Sequence, residues 1–134
     1  MTAFLDTIIL VYAQQTGAKG TISQNLMAAG GRISAQVLNE LANVLRKKQS
    51  KGWDEIELVL DDVENALDPA APLTAATNRS ALALARAHGF PFYDALIVAS
   101  AIEAGCDTLY SEDLQHGRRF GQLAIVNPFL GSVP

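Results

Sequence analysis

The stretch FYDALIVASAIEAGCDTLYSEDLQHG, residues 92–117, decides the fold of this chain. Its segment LIVASAI is apolar on nearly every side, which predicts a buried helix that begins near Asp94 and ends at Gly105. The residues Thr108–Tyr110 that follow predict a strand. A buried helix followed at once by a strand is typical of an α/β fold, in which helices cover a parallel sheet.

The rest of the chain continues this alternation of strands and helices. The predicted elements are strands at Ala3–Leu5, Arg32–Ile33 and Leu123–Val126, and helices that start at Ser34, at Asp54 and near Thr74. The start at Asp54 is marked by a predicted capping box with Glu57 and a hydrophobic staple between Trp53 and Leu58. With 134 residues, 49% of them hydrophobic, and no repeat or linker, we expect a single domain over residues 1–134 with a central parallel sheet.

Composition and charge narrow the class of protein. The net charge of −4 argues against bulk electrostatic capture of nucleic acid, but it does not exclude an enzyme that acts on it. The single cysteine, Cys106, cannot form an internal disulfide and is expected to be a small buried residue in a reducing, cytoplasmic environment. The N-terminus lacks a signal-peptide pattern, and no apolar run approaches the roughly 20 residues that span a bilayer, so we expect no membrane partner.

Four acidic residues lie in or against strongly apolar segments, where an unpaired carboxylate is costly. Asp6 follows the first strand and Asp113 follows Thr108–Tyr110, so parallel strands would bring both to one edge of the sheet. Glu40 lies at the margin of a helical apolar stripe, and Asp94 opens the most apolar helix. Because gathered carboxylates repel one another unless a cation lies among them, the sequence predicts a Mg²⁺ or Mn²⁺ site and phosphate chemistry.

Each of these acids also has an ordinary structural interpretation. Asp6 could be a turn carboxylate bound by backbone N–H groups, and Asp113 could be an acid in a common loop sequence. Glu40 could be a surface side chain at the edge of its stripe. Asp94 could be an N-cap, a role that is compatible with metal binding. The residues alone leave these alternatives open.

Further candidates lie close to the last acid. Glu112 adjoins Asp113 and could serve as an accessory metal ligand. A short basic loop follows, whose side chains are either solvated or candidates for contacts with substrate phosphates: His116, Arg118 and Arg119. A second basic group is interpreted as ordinary surface: Lys47, Lys48 and Lys51.

Taken together and in this order, four segments resemble the PIN-domain family, and most closely its VapC-like toxin ribonucleases. The segments are FLDTIILVYA, ISAQVLNEL, FYDALIVASAIEAGCDTLYSEDLQHG and IVNPF, at residues 4–13, 33–41, 92–117 and 125–129. The resemblance implies a three-layer α/β/α fold with a central parallel sheet. It also implies a metal-dependent endoribonuclease of a toxin–antitoxin pair, with Mg²⁺ or Mn²⁺ as cofactor, RNA as substrate, a homodimeric state and a small antitoxin as partner.

The family's acidic positions fall on Asp6, Glu40, Asp94 and Asp113. The resemblance implies that Asp6, Asp94 and Asp113 hold the ion, and that Glu40 completes the cluster directly or through water. The held ion would activate a water molecule for attack on phosphorus. A phosphatase or another small-phosphate hydrolase would suit the same metal site but not the resemblance.

The chain departs from the family pattern beside the first acid. The family's hydroxyl positions fall on Thr7 and Ser111, but the Asn that follows the first of them in the family is Ile8 here. Loss of a group that orients a metal ligand can cost about 10–100-fold in affinity or activity. The alternative is therefore a catalytically weakened PIN domain that acts as a binding or regulatory module. Residues 14–29 are also shorter than usual for the family, in a region that often forms dimer and antitoxin surfaces.

Overall fold

The structure, a computed structural model, describes residues 1–131. Its elements in chain order are β1 (Ala3–Leu5), α1 (Thr7–Ala13), α2 (Ala18–Ala28), α3 (Ala35–Lys47), α4 (Trp53–Ala66), α5 (Ala75–His88), α6 (Phe92–Glu103), β2 (Thr108–Tyr110), β3 (Arg119–Phe120) and β4 (Leu123–Val126). Within these residues, no helix has the length and apolar character that crossing a membrane requires.

A four-stranded sheet lies at the centre, in the order β1–β2–β4–β3. The strands β1, β2 and β4 are parallel, with Phe4 opposite Leu109 and Leu109 opposite Ile125. Phe4 and Leu5 point to opposite faces of the sheet and both are fully buried, so packed side chains cover both faces. The predicted α/β fold, with helical layers around a central parallel sheet, is confirmed.

Two predictions about strands are wrong. Arg32–Ile33 forms no regular strand, because Arg32 makes only an isolated bridge to Phe4, and Ser34 makes another to Ala71. Conversely, β3 pairs antiparallel with β4 in a segment that was interpreted as loop. This strand is 2 residues long, which is too short for a periodic pattern to mark it in the sequence.

The helix α6 is the most buried helix and begins earlier than predicted. Residues 95–101 are all buried, and Cys106, just beyond its end, is buried and unpaired as expected. Pro91 is the N-cap, so the helix starts at Phe92 and Asp94 lies within its first turn. The interpretation of Asp94 as the N-cap is therefore wrong, although its carboxylate remains near the positive end of the helix.

The start of α4 also differs from the prediction. Gly52 is the N-cap, and its backbone N–H donates to Oε1 of Glu55 at 3.2 Å. The capping box therefore does not involve Asp54 and Glu57, since both lie within the helix. The predicted staple is absent as well, because its two members are largely exposed, at 65% for Trp53 and 64% for Leu58.

The helices α1 and α2 form a tight hairpin against the end of β1. The backbones approach most closely at Gly20, where a Cβ atom would lie 2.1 Å from the carbonyl oxygen of Gln15. Only glycine fits this contact, because real Cβ atoms do not come so close to backbone oxygen. The hairpin fixes the direction of α1, which carries several of the residues described next.

Candidate active site

A cleft of about 570 Å³ opens between α1 and α3 at the carboxyl ends of β1 and β2. We call it the α1–α3 cleft. Its lining residues are Asp6, Thr7, Ile8, Val11, Tyr12, Gln15, Glu40, Asn43, Val44, Lys48, Gln49, Asp94 and Asp113. The four acids singled out in the sequence thus line one cleft, although they come from four separate parts of the chain.

Asp6 sits between the end of β1 and the start of α1, where it is the N-cap of the helix. Its Oδ1 accepts a hydrogen bond from the backbone N–H of Thr7 at 2.7 Å, and its Oδ2 accepts one from Oγ of Ser111 at 2.7 Å. Burial raises the pKa of Asp6 to about 6, against the lowering effect of these two hydrogen bonds, and the charges of Glu40 and Asp113 add to the rise.

Ser111 links the first acid to the loop that carries the last one. It is fully buried directly after β2, and its hydroxyl donates to Asp6 while it accepts from the backbone N–H of Leu114 at 3.3 Å. Because these two bonds use the hydroxyl both as donor and as acceptor, Ser111 orients the carboxylate of Asp6 and fixes the turn around Asp113 at the same time.

Glu40 projects from the middle of α3 and is held by two side chains. Its Oε1 accepts from Oγ1 of Thr7 at 2.7 Å, and its Oε2 accepts from Nε2 of Gln36 at 3.1 Å. Gln36 is buried and lies one turn before Glu40, so its role was missed in the sequence, although its i, i+4 spacing is a signal that could have found it. Both hydroxyl and amide donors keep Glu40 directed toward the first turn of α1.

Asp94 and Asp113 are the two acids whose side chains accept no hydrogen bond from residues 1–131. Asp94 is half-buried in the first turn of α6, and Asp113 is exposed in the loop after β2. Burial raises the pKa of Asp94, and the charges of Glu40 and Asp113 raise it further. Burial contributes more than repulsion to the raised pKa of both Asp6 and Asp94.

The donor set fits a hard divalent cation, although the side chains are not gathered as closely as bound ligands would be. Carboxylate oxygens are the ligands that such ions prefer, and two of the four acids have oxygens without other partners in the described chain. Across residues 1–131, however, no three His, Cys, Asp or Glu side chains are close enough together to hold an ion as they stand. Binding would therefore require the side chains of these acids to move closer together.

Glu112 does not line the cleft and is bound to the α1–α2 hairpin. Its Oε1 accepts from the hydroxyl of Tyr12 at 2.5 Å, and its Oε2 accepts from Nζ of Lys19 at 2.6 Å. Partial burial would raise the pKa of Glu112, but these two donors hold it below its usual value. The Lys19 ammonium also lies 5.0 Å from the centre of the Tyr12 ring and 5.6 Å from that of Phe129. Glu112 thus joins the loop after β2 to the α1–α2 hairpin, where it cannot serve as an accessory ligand without breaking these contacts.

The basic loop that was a candidate for RNA contacts lies outside the α1–α3 cleft. Nδ1 of His116 accepts from the backbone N–H of Asn127 at 3.0 Å. The guanidinium of Arg118 lies 4.5 Å from the centre of the Phe90 ring. Arg119 forms part of β3 and is exposed. The structure therefore brings none of the three basic residues to the acids.

Two features of the cleft were not anticipated from the sequence. Ile8 is half-buried at the cleft wall, where it packs against the core, so it has not turned away from the site. At the far end, Lys48 lines the cleft, although the basic group that contains it was interpreted as ordinary surface. The sequence alone does not show that Lys48 shares a cleft with the four acids. The structure shows it, because α3 places Lys48 two turns beyond Glu40 along the same cleft.

Three solved structures are similar to this fold. The sarcin-ricin loop cleaving toxin VapC20 of Mycobacterium tuberculosis has a TM-score of 0.68 at 18% identity, over 84% of this chain and 90% of that one. VapBC2 from Rickettsia felis, bound to a DNA fragment from its promoter, has a TM-score of 0.67 at 24% identity, over 93% and 97%. A toxin–antitoxin complex from Klebsiella pneumoniae has a TM-score of 0.71 at 17% identity, over 95% and 98%. At these identities the likeness shows a shared fold.

Sequence comparison gives the family itself. No curated protein matches the chain. The family model of the PIN domain matches residues 3–120, which include all four acids that line the α1–α3 cleft. This match spans most of the 134 residues, and the fold agrees with it. The chain belongs to the PIN-domain family.

Proposed function

We propose that this protein is a metal-dependent endoribonuclease that hydrolyses phosphodiester bonds in RNA, as the toxin of a toxin–antitoxin pair. The observation that carries the proposal is that Asp6, Glu40, Asp94 and Asp113 all line the α1–α3 cleft. Membership of the PIN-domain family supports nuclease chemistry at such a site. The fold similarity to VapC20, which is described as a toxin that cleaves the sarcin-ricin loop, supports RNA as the substrate class.

The proposed cofactor is Mg²⁺ or Mn²⁺, held by Asp6, Asp94 and Asp113. When bound, such an ion lowers the pKa of water, and it neutralises charge on the phosphate and on the leaving oxygen. The free oxygens of Asp94 and Asp113 and the second lone pairs of Asp6 are available as ligands. Because the pKa of Asp6 is near 6 without an ion, this carboxylate is largely ionised at neutral pH and would not need to lose a proton to bind.

The remaining polar residues act by holding the acids in place. Ser111 and the backbone N–H of Thr7 fix both oxygens of Asp6, so this carboxylate cannot rotate freely. The Thr7 hydroxyl fixes Glu40, which then completes the cluster directly or through a water molecule. Orientation before binding reduces the entropy lost when the reacting groups meet, which is the main contribution of the protein to phosphoryl transfer. By family resemblance, the products would carry 5′-phosphate and 3′-hydroxyl ends.

The proposed partners are a small antitoxin and a second copy of the chain. Two of the similar structures are described as a VapBC2 assembly and a toxin–antitoxin complex, which supports an antitoxin for this chain. A cytoplasmic location follows from the same proposal, since the substrate and the antitoxin would both be there. That residues 1–134 form one PIN domain also remains a proposal.

The decisive experiment is cleavage of a structured RNA by the purified protein with and without Mn²⁺. We expect cleavage only with the ion, and we expect Asp94→Asn to abolish it without loss of thermal stability, because the Asp94 side chain accepts no hydrogen bond within residues 1–131. Mn²⁺ binding, measured by isothermal titration calorimetry, should weaken in the same variant. Unfolding of Asp94→Asn would instead assign a structural role to the residue, and hydrolysis of a phosphomonoester in place of RNA would favour a phosphatase.

A second candidate function is favoured by Ile8, which places an apolar wall where the family has a polar group. In that case the protein would be a catalytically weakened PIN domain that binds RNA or protein. It would bind Mn²⁺ weakly and cleave nothing in the assay above, while the fold and the partner surface would be retained.

A further inference from the structure

Besides the acids, the α1–α3 cleft is lined by one cationic and three amide side chains. Lys48 is the one cationic side chain that lines the cleft within residues 1–131, and the amides belong to Gln15, Asn43 and Gln49. All four residues are exposed, and no hydrogen bond or ion pair within the described chain uses their side chains. Their donors are therefore free to bind a ligand, and an ammonium in a cleft that also carries free amide donors favours an anion.

The distance between the two ends of the cleft is set by α3. Glu40 and Lys48 are eight residues apart, which corresponds to about 12 Å along a helix axis. A phosphate that is held among the acids by a cation is therefore out of direct reach of Lys48. An anion bound at Lys48 would be a second, flanking group of the same ligand.

The cleft wall between Glu40 and Lys48 is apolar, since Val44 lies four residues from each of them along α3. Ile8 and Val11 line the cleft from α1. Ile8 and Val44 are half-buried and pack against the core, so they are fixed walls rather than mobile surface side chains. Fixed apolar side chains can accept the face of an unstacked base, as in the pockets of enzymes that act on a single flipped base.

The order of these three parts matches the repeat of a nucleotide strand, which alternates a charged phosphate with an apolar base. Four of the ten Lys and Arg residues of the chain lie within residues 46–51, although the net charge of the protein is −4. Positive charge is therefore concentrated at the carboxyl-terminal end of α3, where Lys48 lines the cleft. The cleft volume of about 570 Å³ is that of a small-ligand site, which suits one strand rather than a duplex.

We propose, on the basis of the nuclease function above, that the α1–α3 cleft is the path of a single RNA strand. The reacting phosphate lies among the acids, an unstacked nucleotide lies against Ile8, Val11 and Val44, and the flanking phosphate binds Lys48. Specificity for an unpaired stretch of RNA follows, since a base can enter the apolar part of the cleft only when it is free of a helix. In this arrangement, Ile8 contacts the substrate, so its presence in place of the family's Asn has a function of its own.

The proposal is tested by combining the variant Lys48→Gln with substrate length. Binding of a labelled short oligouridylate and of diuridine monophosphate is measured by fluorescence anisotropy in Ca²⁺, at several salt concentrations, so that the readout does not depend on cleavage. We expect Lys48→Gln to weaken binding of the oligonucleotide about fivefold at about 0.1 M salt and to reduce the slope of log K against log salt by about 0.7, as expected for one phosphate contact. It should leave binding of the dinucleotide unchanged, because that ligand has no flanking phosphate. Lys48→Arg should restore binding.

The matched control is Arg79→Gln, which removes the same charge from the exposed face of α5 and should leave both ligands unaffected. The flanking-phosphate site is wrong if Lys48→Gln acts no more than Arg79→Gln, if it affects both ligands equally, or if the protein binds no oligonucleotide. If Lys48→Gln binds RNA normally but loses affinity for an acidic protein segment, the surface around Lys48 binds a protein partner and the proposal is overturned. If RNA binding depends on Lys48 but the protein does not cleave RNA, the flanking-phosphate site is retained and the nuclease function is refuted. If the protein cleaves RNA and Lys48→Gln changes neither binding nor cleavage, the nuclease function is retained and the flanking-phosphate site is refuted.

Discussion

At the scale of single residues, Asp6 shows how hydrogen bonds partly offset the effect of burial, which favours the neutral form of a carboxyl group. Burial removes water from its carboxylate and raises the pKa, while the N–H of Thr7 and the hydroxyl of Ser111 stabilise the ionised form. The balance leaves the folded pKa near 6, so folding without a metal ion carries an energetic cost at neutral pH. A bound cation would remove that cost.

The first prediction concerns Asp6→Asn in the absence of metal. The pKa of Asp6 is about 6 in the folded protein, against an ordinary value of 3.8 for an aspartate in water, so the folded state binds the proton more tightly. The protonated carboxyl of Asp6 thus stabilises the folded state fully below about pH 4, and this stabilisation is lost as the pH rises to about 6. The loss in the free energy of unfolding is about 3 kcal/mol at most. We therefore expect Asp6→Asn to be more stable than the parent at pH 8 and equally stable near pH 4, in urea unfolding with a chelator present.

A matched control for this prediction is Glu64→Gln, which neutralises an exposed acid of α4. It should shift stability little, and by the same amount at both pH values. If Asp6→Asn is less stable than the parent at pH 8, its two hydrogen bonds outweigh the burial of the charge.

Ile8 is the second residue for which the structure gives a definite expectation. Since both oxygens of Asp6 already accept hydrogen bonds, an Asn at position 8 has little orientation left to supply. Ile8→Asn should cost about 1–3 kcal/mol of stability, because a half-buried apolar side chain is replaced by a polar one. We expect little change in Mn²⁺ affinity, and titration calorimetry together with thermal unfolding measures both effects. A clear gain in affinity or cleavage would mean that Ile8 does weaken the site.

The sequence allowed the acids to be predicted better than their supports. Asp6 and Asp113 follow strands and Asp94 opens an apolar helix, so local pattern was enough to single them out. Gln36 and Lys48 have no such local signal, because their importance depends on which face of α3 meets α1. Glu112 was misjudged for a similar reason, since adjacency to Asp113 says nothing about the direction in which its side chain points.

At the scale of elements, the α1–α2 hairpin supports one wall of the cleft. It is tied to the loop after β2 by the ion pair between Lys19 and Glu112, at 2.6 Å. Both partners are partly exposed, so the pair contributes more to orientation than to stability. The hairpin itself depends on the close backbone contact at Gly20.

The prediction at this scale is that Gly20→Ala disrupts the hairpin. Its Cβ atom would meet the backbone oxygen of Gln15 at 2.1 Å, and neither backbone can yield without moving α1 against α2. We expect a loss of about 1–3 kcal/mol or more in the free energy of unfolding, together with reduced cleavage, because α1 carries Thr7 and Ile8. Gly52→Ala is the control, since a Cβ there meets only the flexible end of Glu55, at 3.6 Å, and the change should cost only the roughly 1 kcal/mol or less by which Ala is the poorer N-cap residue. Equal stability of the two variants would show that the hairpin relaxes easily.

At the scale of the whole molecule, the alternating pattern was sufficient to predict an α/β fold with a central parallel sheet, because fully buried parallel strands have nearly continuous apolar sequences. The edge of the sheet was not predictable. Arg32–Ile33 has strand-like residues but makes one bridge, and β3 has no apolar alternation yet pairs with β4. Edge pairing depends on which neighbour remains available after folding, and that information is not local.

The pairing of β1 with β2 also bears on when the proposed activity could arise. The hydrogen bond from Ser111 to Asp6 joins residues 105 positions apart, which directly follow the paired strands β2 and β1. Chains are synthesised from the N-terminus, and contacts of such long sequence separation form late because much of the chain must be ordered first. A nascent chain that stops before β2 contains neither Ser111 nor Asp113. If the proposed nuclease function is correct, cleavage could therefore begin only after synthesis has passed Asp113.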